Sequence, residues 1–175
     1  MDQHQQQHRI RRVRIERTAQ LALRGASPPG PEYVRARRGL YVAAADWPAG
    51  DFEATHYARM QAAEASMRAR PVFSHTSAAV IWGIPVVGRL DGVHVMAASL
   101  RGRRSRRGIA WHNHALREEE ISEFGGHLVT SLERTLWDLA TWCPRPAAVA
   151  ALDAGVRPRL ETPLGGPVTG IPLRS

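Results

Sequence analysis

Lysine is absent from this chain and cysteine occurs once, which excludes several classes of functional site. A phosphate-binding loop of the G-x-x-x-x-G-K-[ST] type is impossible without lysine. The single Cys143 excludes an internal disulfide and any zinc site built on paired cysteines, and we interpret it as a small buried residue near a helix end. No stretch approaches the roughly 18 apolar residues of a membrane-spanning helix, and the N-terminus lacks a hydrophobic signal core, so we expect a soluble, cytoplasmic protein.

Arginine supplies all the positive charge. The chain has 24 basic and 16 acidic residues, a formal net charge of +8. Guanidinium groups stay ionised and bind phosphates or carboxylates through two parallel hydrogen bonds. A chain of this charge typically binds nucleic acid, an acidic protein or an anionic membrane surface. The alternative is that the arginines only keep the chain in solution.

The most unusual segment lies between two apolar runs at 93–97 and 109–112. Both runs are typical of strands, and the glycine-containing polar segment between them predicts a β-hairpin. The arginines at its tip repel one another and cannot be buried, so we expect them to be exposed and to bind phosphate or an acidic partner. These predicted contact residues are Arg101, Arg103, Arg104, Arg106 and Arg107.

A second, smaller hairpin is predicted over 33–42, with its turn at Arg38 and Gly39. Arg35, Arg37 and Arg38 give this hairpin a basic face. Two interpretations remain open, an ordinary two-stranded ribbon with solvated arginines or a wing that contacts DNA.

Helical spacing of apolar residues predicts a basic helix over 9–24, a second helix from Asp51 to Pro71, a third after Ser74 and two more near the C-terminus. In the last of these, over 147–156, we expect Val149 and Leu152 to be buried, with Ala148 as a further candidate. The predicted fold class is α+β. Its parts are a disordered start (1–8), a reduced winged-helix-like segment (9–45), a small α/β domain with the basic hairpin (51–156) and a Pro- and Gly-rich disordered tail (157–175).

No catalytic or metal-binding constellation is predicted. His112 and His114 would project from one face of a strand, but two ligands are too few for a catalytic metal site, and we interpret them as surface residues. Ser74, His75 and Ser77 match no motif for nucleophilic chemistry, and a helix cap is the simpler role for Ser74. We therefore expect no cofactor and no enzymatic activity.

The order of several motifs resembles the abortive-infection E (AbiEi-like) type IV antitoxin family. The resemblance covers about 33–160 and depends on four blocks in this order: Arg37-Arg38-Gly39-Leu40-Tyr41-Val42, Ser74-His75-x-Ser77-Ala78-Ala79-x-x-Trp82-Gly83-Ile84-Pro85, Val93-His94-Val95 with the arginine-rich turn, and Val129-Thr130-Ser131-x-Glu133-Arg134-Thr135-Leu136-x-Asp138-Leu139-Ala140.

The resemblance implies an N-terminal winged helix-turn-helix that binds the protein's own promoter, an α/β antitoxin domain, and a functional link to a nucleotidyltransferase-type toxin. Many relatives also carry an endonuclease-like domain, which we expect to be missing from this truncated member, and a lysine-free chain cannot supply its usual catalytic lysine. Three hypotheses follow: a non-enzymatic DNA-binding regulator, a degenerate remnant of an endonuclease-domain protein, or a module that binds an acidic protein.

Overall fold

The computed structural model describes residues 9–88, 90–97 and 108–171. The fold is α+β, as predicted. The chain divides into two compact units, one formed by Arg11–Arg70 and the other by Met1–Ile10 with Pro71–Ser175. Within the described ranges, no helix has both the length and the apolar character needed to cross a bilayer.

The unit Arg11–Arg70 consists of a three-stranded antiparallel sheet, in the order β1-β3-β2, and one long helix that packs against β2. Asp51 caps this helix by accepting a hydrogen bond from the Ala54 N–H at 2.9 Å, as its sequence predicts. The elements are β1 (Glu16–Arg17), α1 (Thr18–Ala22), β2 (Tyr33–Arg37), β3 (Leu40–Ala43) and α2 (Phe52–Ala65).

Helix α2 therefore lies in the same unit as the small hairpin, whereas the sequence-based division separates them between 45 and 51. The physical reason is the buried face of α2. Tyr57 and Met60 are almost completely buried, and this face packs on the hairpin strand β2.

The basic helix predicted over 9–24 is wrong for most of its length. Residues 9–15 have no regular secondary structure, and α1 has only five residues. Long-range partners override the local helical pattern: Glu16 pairs with Tyr41 in the sheet, and the Val13 N–H donates to Gln61 Oε1 at 3.0 Å. A weak helical pattern commonly yields to such tertiary bonds.

The second unit is built on a five-stranded mixed sheet, in the order β6-β5-β4-β8-β7. Its core includes Phe73, Val95 and Val129, each fully buried in a central strand. Helix α3 packs against β5 and α4, and α4 packs against α5. The elements are β4 (Val72–Phe73), α3 (His75–Trp82), β5 (Val93–Met96), β6 (Ile109–His112), β7 (Ile121–Phe124), β8 (His127–Thr130), α4 (Leu132–Trp142), α5 (Arg145–Gly155), β9 (Leu160–Glu161) and β10 (Pro167–Val168).

The hairpin predicted over 93–112 is wrong, although both of its strands exist. β5 and β6 pair in parallel, with Val93 opposite Ile109 and Met96 opposite His112. A parallel pair cannot be joined by a tight turn, because the chain must return to the starting end of the sheet before the second strand begins. The predicted contact arginines at 101–107 lie outside the described residues, and their exposure stays a prediction.

The last helix buries the further candidate Ala148, but Val149 and Leu152, which were expected to be buried, are exposed. Val149 and Leu152 are 59% and 40% exposed, whereas Ala148, Ala151 and Ala154 are buried. The α4–α5 contact is too close for larger side chains on α5, since a Cβ added at Gly155 would overlap the side chain of Leu136 on α4.

The described part of the predicted disordered tail has regular structure. β9 and β10 form a two-stranded antiparallel ribbon, and Leu160 is buried. The ribbon is tied to the start of the same unit, because the Ile10 N–H donates to the Pro163 carbonyl at 2.9 Å. Proline and glycine therefore mark tight turns in this segment rather than loss of order.

Candidate functional site

The small hairpin β2–β3 places its three predicted contact arginines in different surroundings. Arg35 and Arg38 are exposed, and within the described residues neither guanidinium forms an ion pair. Arg37 is half-buried and has a partner. The pairing register shifts between Arg35 and Arg37, which is a β-bulge that re-aims the side chains on either side of it. Arg35 and Arg38 are thus the arginines of this hairpin that remain available to a ligand.

Three histidines from distant parts of the sequence meet in the second unit. His75 begins α3, His94 lies within β5 and His112 ends β6. His94 pairs with Ala110 across the sheet, and His112 follows two residues later, so both side chains project from the same face. β4 lies beside β5 and leads into α3, which brings His75 to the same place. We call His75, His94 and His112 the histidine cluster.

The rings of the histidine cluster are in direct contact. His94 Nδ1 and His112 Nε2 are 2.9 Å apart, a distance typical of a hydrogen bond between two rings of which one donates its N–H. The ring of His75 stacks on that of His112 with 3.5 Å between the centroids. One nitrogen from each histidine can be chosen so that the three atoms all lie within 4.8 Å of one another.

The surroundings of the histidine cluster keep its rings neutral at pH 7. Burial, together with the neighbouring His112 and His94, lowers the pKa of His75 to about 3. Burial and the proximity of His112 lower the pKa of His94 to about 4, and burial and the proximity of His114 do the same for His112. Neutral imidazole is the form that binds metal ions and that accepts protons in general base catalysis.

Three charged side chains, those of Asp138, Arg134 and Glu120, form a connected series that begins next to His75. Asp138 Oδ2 lies 3.7 Å from His75 Nδ1 and has no hydrogen-bond partner, although the side chain is only 5% exposed. Asp138 Oδ1 accepts from Arg134 Nε at 2.8 Å, and Arg134 Nη1 donates to Glu120 Oε1 at 3.1 Å. Burial raises the pKa of Asp138 against the opposing effect of Arg134. Burial alone would lower the pKa of Arg134, but its two carboxylate partners raise it overall.

The backbone of His75 is in an unusual conformation. Its φ of +49° lies in the left-handed region, which costs a residue other than glycine about 1–3 kcal/mol. Ser74 holds the N-cap position, as predicted, but its hydroxyl makes no capping bond. Instead, Ser74 Oγ lies 3.1 Å from His75 Nδ1. The local backbone therefore directs the His75 ring into the cluster rather than optimising the helix cap.

Trp142, at the end of α4, covers the histidine cluster on the solvent side. Its ring is edge-on to all three imidazoles, with centroid distances of 5.7 Å to His75, 4.7 Å to His94 and 6.3 Å to His112. Trp142 is itself 52% exposed. Arg134 also lines a cavity of about 470 Å³, together with Glu120 and Trp137.

In comparisons with known proteins, no family model, no curated protein and no solved structure matches this chain. The antitoxin family resemblance remains an expectation from the motifs.

The interpretation of His112 and His114 as a surface pair is wrong for His112, which is half-buried in the histidine cluster. β6 ends at His112, so His114 follows the strand and is exposed. His75 and His94 were not predicted as partners of His112, because both are far from it in the sequence. One available signal was His94 within the apolar run of β5, because a polar side chain at the centre of a buried strand needs a partner.

Proposed function

We propose that this chain is a non-enzymatic DNA-binding regulator whose hairpin β2–β3 contacts the phosphate backbone. The observation that carries the proposal is that Arg35 and Arg38 of one small hairpin are both exposed and form no ion pair with any residue that the structure describes. Exposed guanidinium groups bind phosphate bidentately, so two of them on one hairpin suit contact with a polyanion.

The charge of the whole unit supports the same proposal. Residues 11–70 contain eleven arginines and six acidic residues, a net +5, so this unit holds most of the chain's net charge of +8. Some of these arginines are used internally: Arg24 pairs with Glu16 at 2.5 Å and Arg17 donates to the Ala65 carbonyl at 2.7 Å. Arg35 and Arg38 are not among them, and their charges are available to an external ligand.

The arrangement of the sheet agrees with a reduced wing. The order β1-β3-β2 places a short strand beside the hairpin β2–β3, as in winged-helix proteins, but the only helix between β1 and β2 is the five-residue α1. A helix-turn-helix reads bases with the second of two helices. We therefore assign the hairpin to contacts with phosphates, which position a protein on DNA without reading its sequence.

The test is a fluorescence anisotropy titration of the full chain with its own upstream DNA and with a scrambled duplex, at several salt concentrations. Because each phosphate contact contributes a slope of about −0.9 to log K against log salt, Arg35→Gln/Arg38→Gln should reduce the slope by about 1.8. The matched control is Arg117→Gln/Arg157→Gln, which removes the same charge from two exposed ion pairs in the other unit. The proposal fails if both double variants weaken binding equally.

The other hypotheses give different outcomes in the same titration. Binding that depends on Arg101, Arg103, Arg104, Arg106 and Arg107 but not on Arg35 and Arg38 favours a remnant of an endonuclease-domain protein or a module for an acidic protein. An acidic protein that displaces the DNA from those arginines selects the module. A link to a nucleotidyltransferase-type toxin, implied by the family resemblance, predicts that co-expression of this chain restores growth to cells producing the toxin.

A further inference from the structure

We propose that the histidine cluster binds one divalent transition-metal ion of the Zn²⁺ class, with His75, His94 and His112 as its three protein ligands. This site is independent of the DNA-binding proposal, because all its residues lie in the second unit.

The donor set fits this class of metal. Imidazole nitrogen is a preferred ligand of Zn²⁺, Cu²⁺, Ni²⁺ and Co²⁺, whereas Mg²⁺ and Ca²⁺ prefer oxygen. Three histidines with a water in the fourth position form a familiar zinc arrangement. At Zn–N bonds of about 2.0–2.1 Å, tetrahedral ligand nitrogens are about 3.3 Å apart. The nitrogens of the cluster already lie within 4.8 Å of one another, with one pair at 2.9 Å. Because the ring of His75 is stacked on that of His112, ligation requires the His75 ring to turn out of this stack so that its nitrogen points at the shared ion.

The position of Asp138 is an independent indication of a ligand. A metal-bound histidine almost always donates its other N–H to a carboxylate or carbonyl, which fixes the ring and raises its basicity. Asp138 Oδ2 is buried, has no hydrogen-bond partner among the described residues and lies 3.7 Å from His75 Nδ1. When Nε2 of His75 binds the metal, Nδ1 keeps its proton, and this N–H can donate to Asp138 Oδ2 in place of Ser74 Oγ, which lies 3.1 Å from it. Asp138 thus has the role of a positioning residue.

Arg134 and the backbone of His75 preorganise this arrangement. Arg134 holds Asp138 through the other carboxylate oxygen, which leaves Oδ2 directed at His75. The left-handed backbone of His75 carries a local cost that ordinary core packing does not require. Ligation of the ring would offset this cost, since strained residues of this kind persist where a site demands their geometry.

Trp142 contacts all three rings of the histidine cluster. Among the described residues, the set of metal-ligating side chains within reach of one another contains only these three histidines. Trp142 is edge-on to the rings and half-exposed, so it restricts access without sealing the site. We assign the fourth position to a water molecule.

The test is a Co²⁺ titration of the untagged, chelator-treated full chain, with Zn²⁺ competition and X-ray absorption on the Zn²⁺-loaded protein. The background variant carries His4→Ala and His8→Ala, so that the two N-terminal histidines cannot contribute ligands. We expect one equivalent of Co²⁺ to give the intense visible bands of a tetrahedral site, and Zn²⁺ to displace it. X-ray absorption on the Zn²⁺-loaded protein should report three imidazoles and one oxygen as ligands.

Two variants and one control assign the ligands. In this background, His94→Ala should weaken metal binding at least about 100-fold, and Asp138→Asn should weaken it about 10–100-fold while keeping three imidazoles, as loss of an outer partner does. His114→Ala, which removes a nearby exposed histidine outside the cluster, should bind normally.

The proposal is overturned if the chain binds neither Co²⁺ nor Zn²⁺ below about 100 µM, a Kd equivalent to about −5.5 kcal/mol. It is also overturned if His94→Ala binds as tightly as its background. Should His94→Ala fail to fold, the absorption measurement on the folded background chain decides, because fewer than three imidazoles or a sulfur ligand contradicts the assignment. The cluster would then be a metal-free hydrogen-bonded core.

Discussion

At the scale of single residues, Arg134 connects two carboxylates in the second unit. Its Nε donates to Asp138 and its Nη1 to Glu120, and its side chain is only 12% exposed. Of the two, Asp138 depends on it more, because the Asp138 side chain is nearly buried and its second oxygen has no hydrogen-bond partner. An unpaired charge in such a place is far more costly than one on the surface.

We therefore predict that Arg134→Met destabilises the protein by about 3 kcal/mol at pH 7, since it leaves the buried Asp138 without its cation. Urea unfolding followed by circular dichroism measures the change. The control is Arg117→Met, which breaks ion pairs whose arginine is 72% exposed and should cost under about 1 kcal/mol. Equal effects of the two substitutions would contradict this account of Arg134.

Glu120 predicts a dependence of stability on pH. The backbone N–H of Arg117 donates to Glu120 Oε2 at 2.8 Å, and with the side chains of Arg134 and Arg117 it lowers the pKa of Glu120 from 4.5 to about 2. A carboxyl with a lowered folded-state pKa stabilises the fold above its unfolded-state pKa, and this contribution is lost as the pH falls through the folded-state pKa.

The stability difference between wild type and Glu120→Gln should accordingly be constant above about pH 5 and shrink steadily between about pH 4.5 and 2. Urea unfolding at a series of pH values measures it. Glu119→Gln removes one charge from the same turn, where both members of the ion pair are exposed, and corrects for the change in net charge. A difference that does not vary over this range would refute the assignment.

The residues of the histidine cluster show why sequence could predict only part of the site. His94 was correctly placed within a strand, and His75 within the start of a helix after a strand. Their meeting depends on which strands are neighbours and in which direction they run, and neither is encoded in local periodicity. Arg134 and Asp138 lie four residues apart on one helix, and side chains at this spacing are neighbours. Their contact is therefore the part of the site that the sequence could have predicted.

At the scale of elements, α3 and β9 meet at Gly83. Gly83 closes α3 with a φ of +73°, and a Cβ at this position would overlap the Glu161 carbonyl oxygen of β9. The described part of the C-terminal segment is thus packed against a helix end that only glycine can form.

Gly83→Ala should destabilise the protein by about 3 kcal/mol, of which about 1 kcal/mol comes from the left-handed backbone and the rest from displacing β9. Gly108→Ala is the matched control, because Gly108 has a φ of +76° and, its chain neighbours aside, no atom of the described residues lies within 4 Å of where its Cβ would be. It should cost only about 1 kcal/mol. Urea unfolding of the two variants measures the difference, and equal losses would mean that β9 does not pack on Gly83.

The strands illustrate which features of an element are readable from sequence. The β-branched and aromatic residues of β5 and β6 identify both as strands, and the Arg38-Gly39 turn identifies the hairpin β2–β3. The relative direction of β5 and β6 was not readable, because a polar glycine-containing connection is compatible with a hairpin or a crossover. The alanines of α5 were misjudged because burial there depends on how closely α4 approaches.

At the scale of the whole molecule, the two proposals belong to different units. The available arginines of the hairpin lie in Arg11–Arg70, and the histidine cluster lies in the unit that contains Pro71–Ser175. Contact with DNA requires arginines that remain exposed, because burying a charge is costly. Metal binding requires neutral imidazoles, which the well-packed sheet of the second unit buries. The boundary between the two units could not be predicted from the sequence. The linker-like segment before α2 suggested a boundary there, but α2 belongs to the first unit because it packs on β2.

The metal should therefore stabilise one unit and leave the other unchanged. A ligand present at 100 times its Kd stabilises the state that binds it by about 2.7 kcal/mol, which corresponds to about 100-fold slower hydrogen exchange of the amides that open only on unfolding of that unit. We expect this slowing on addition of Zn²⁺ in peptides covering 72–82, 93–96 and 132–142, and no slowing in peptides from 33–43 and 52–65. Hydrogen exchange with mass spectrometry measures both sets in one sample, and His94→Ala in the His4→Ala/His8→Ala background is the control that should lose the effect. Equal slowing in both sets would contradict a site confined to the second unit, because His75, His94 and His112 all belong to it.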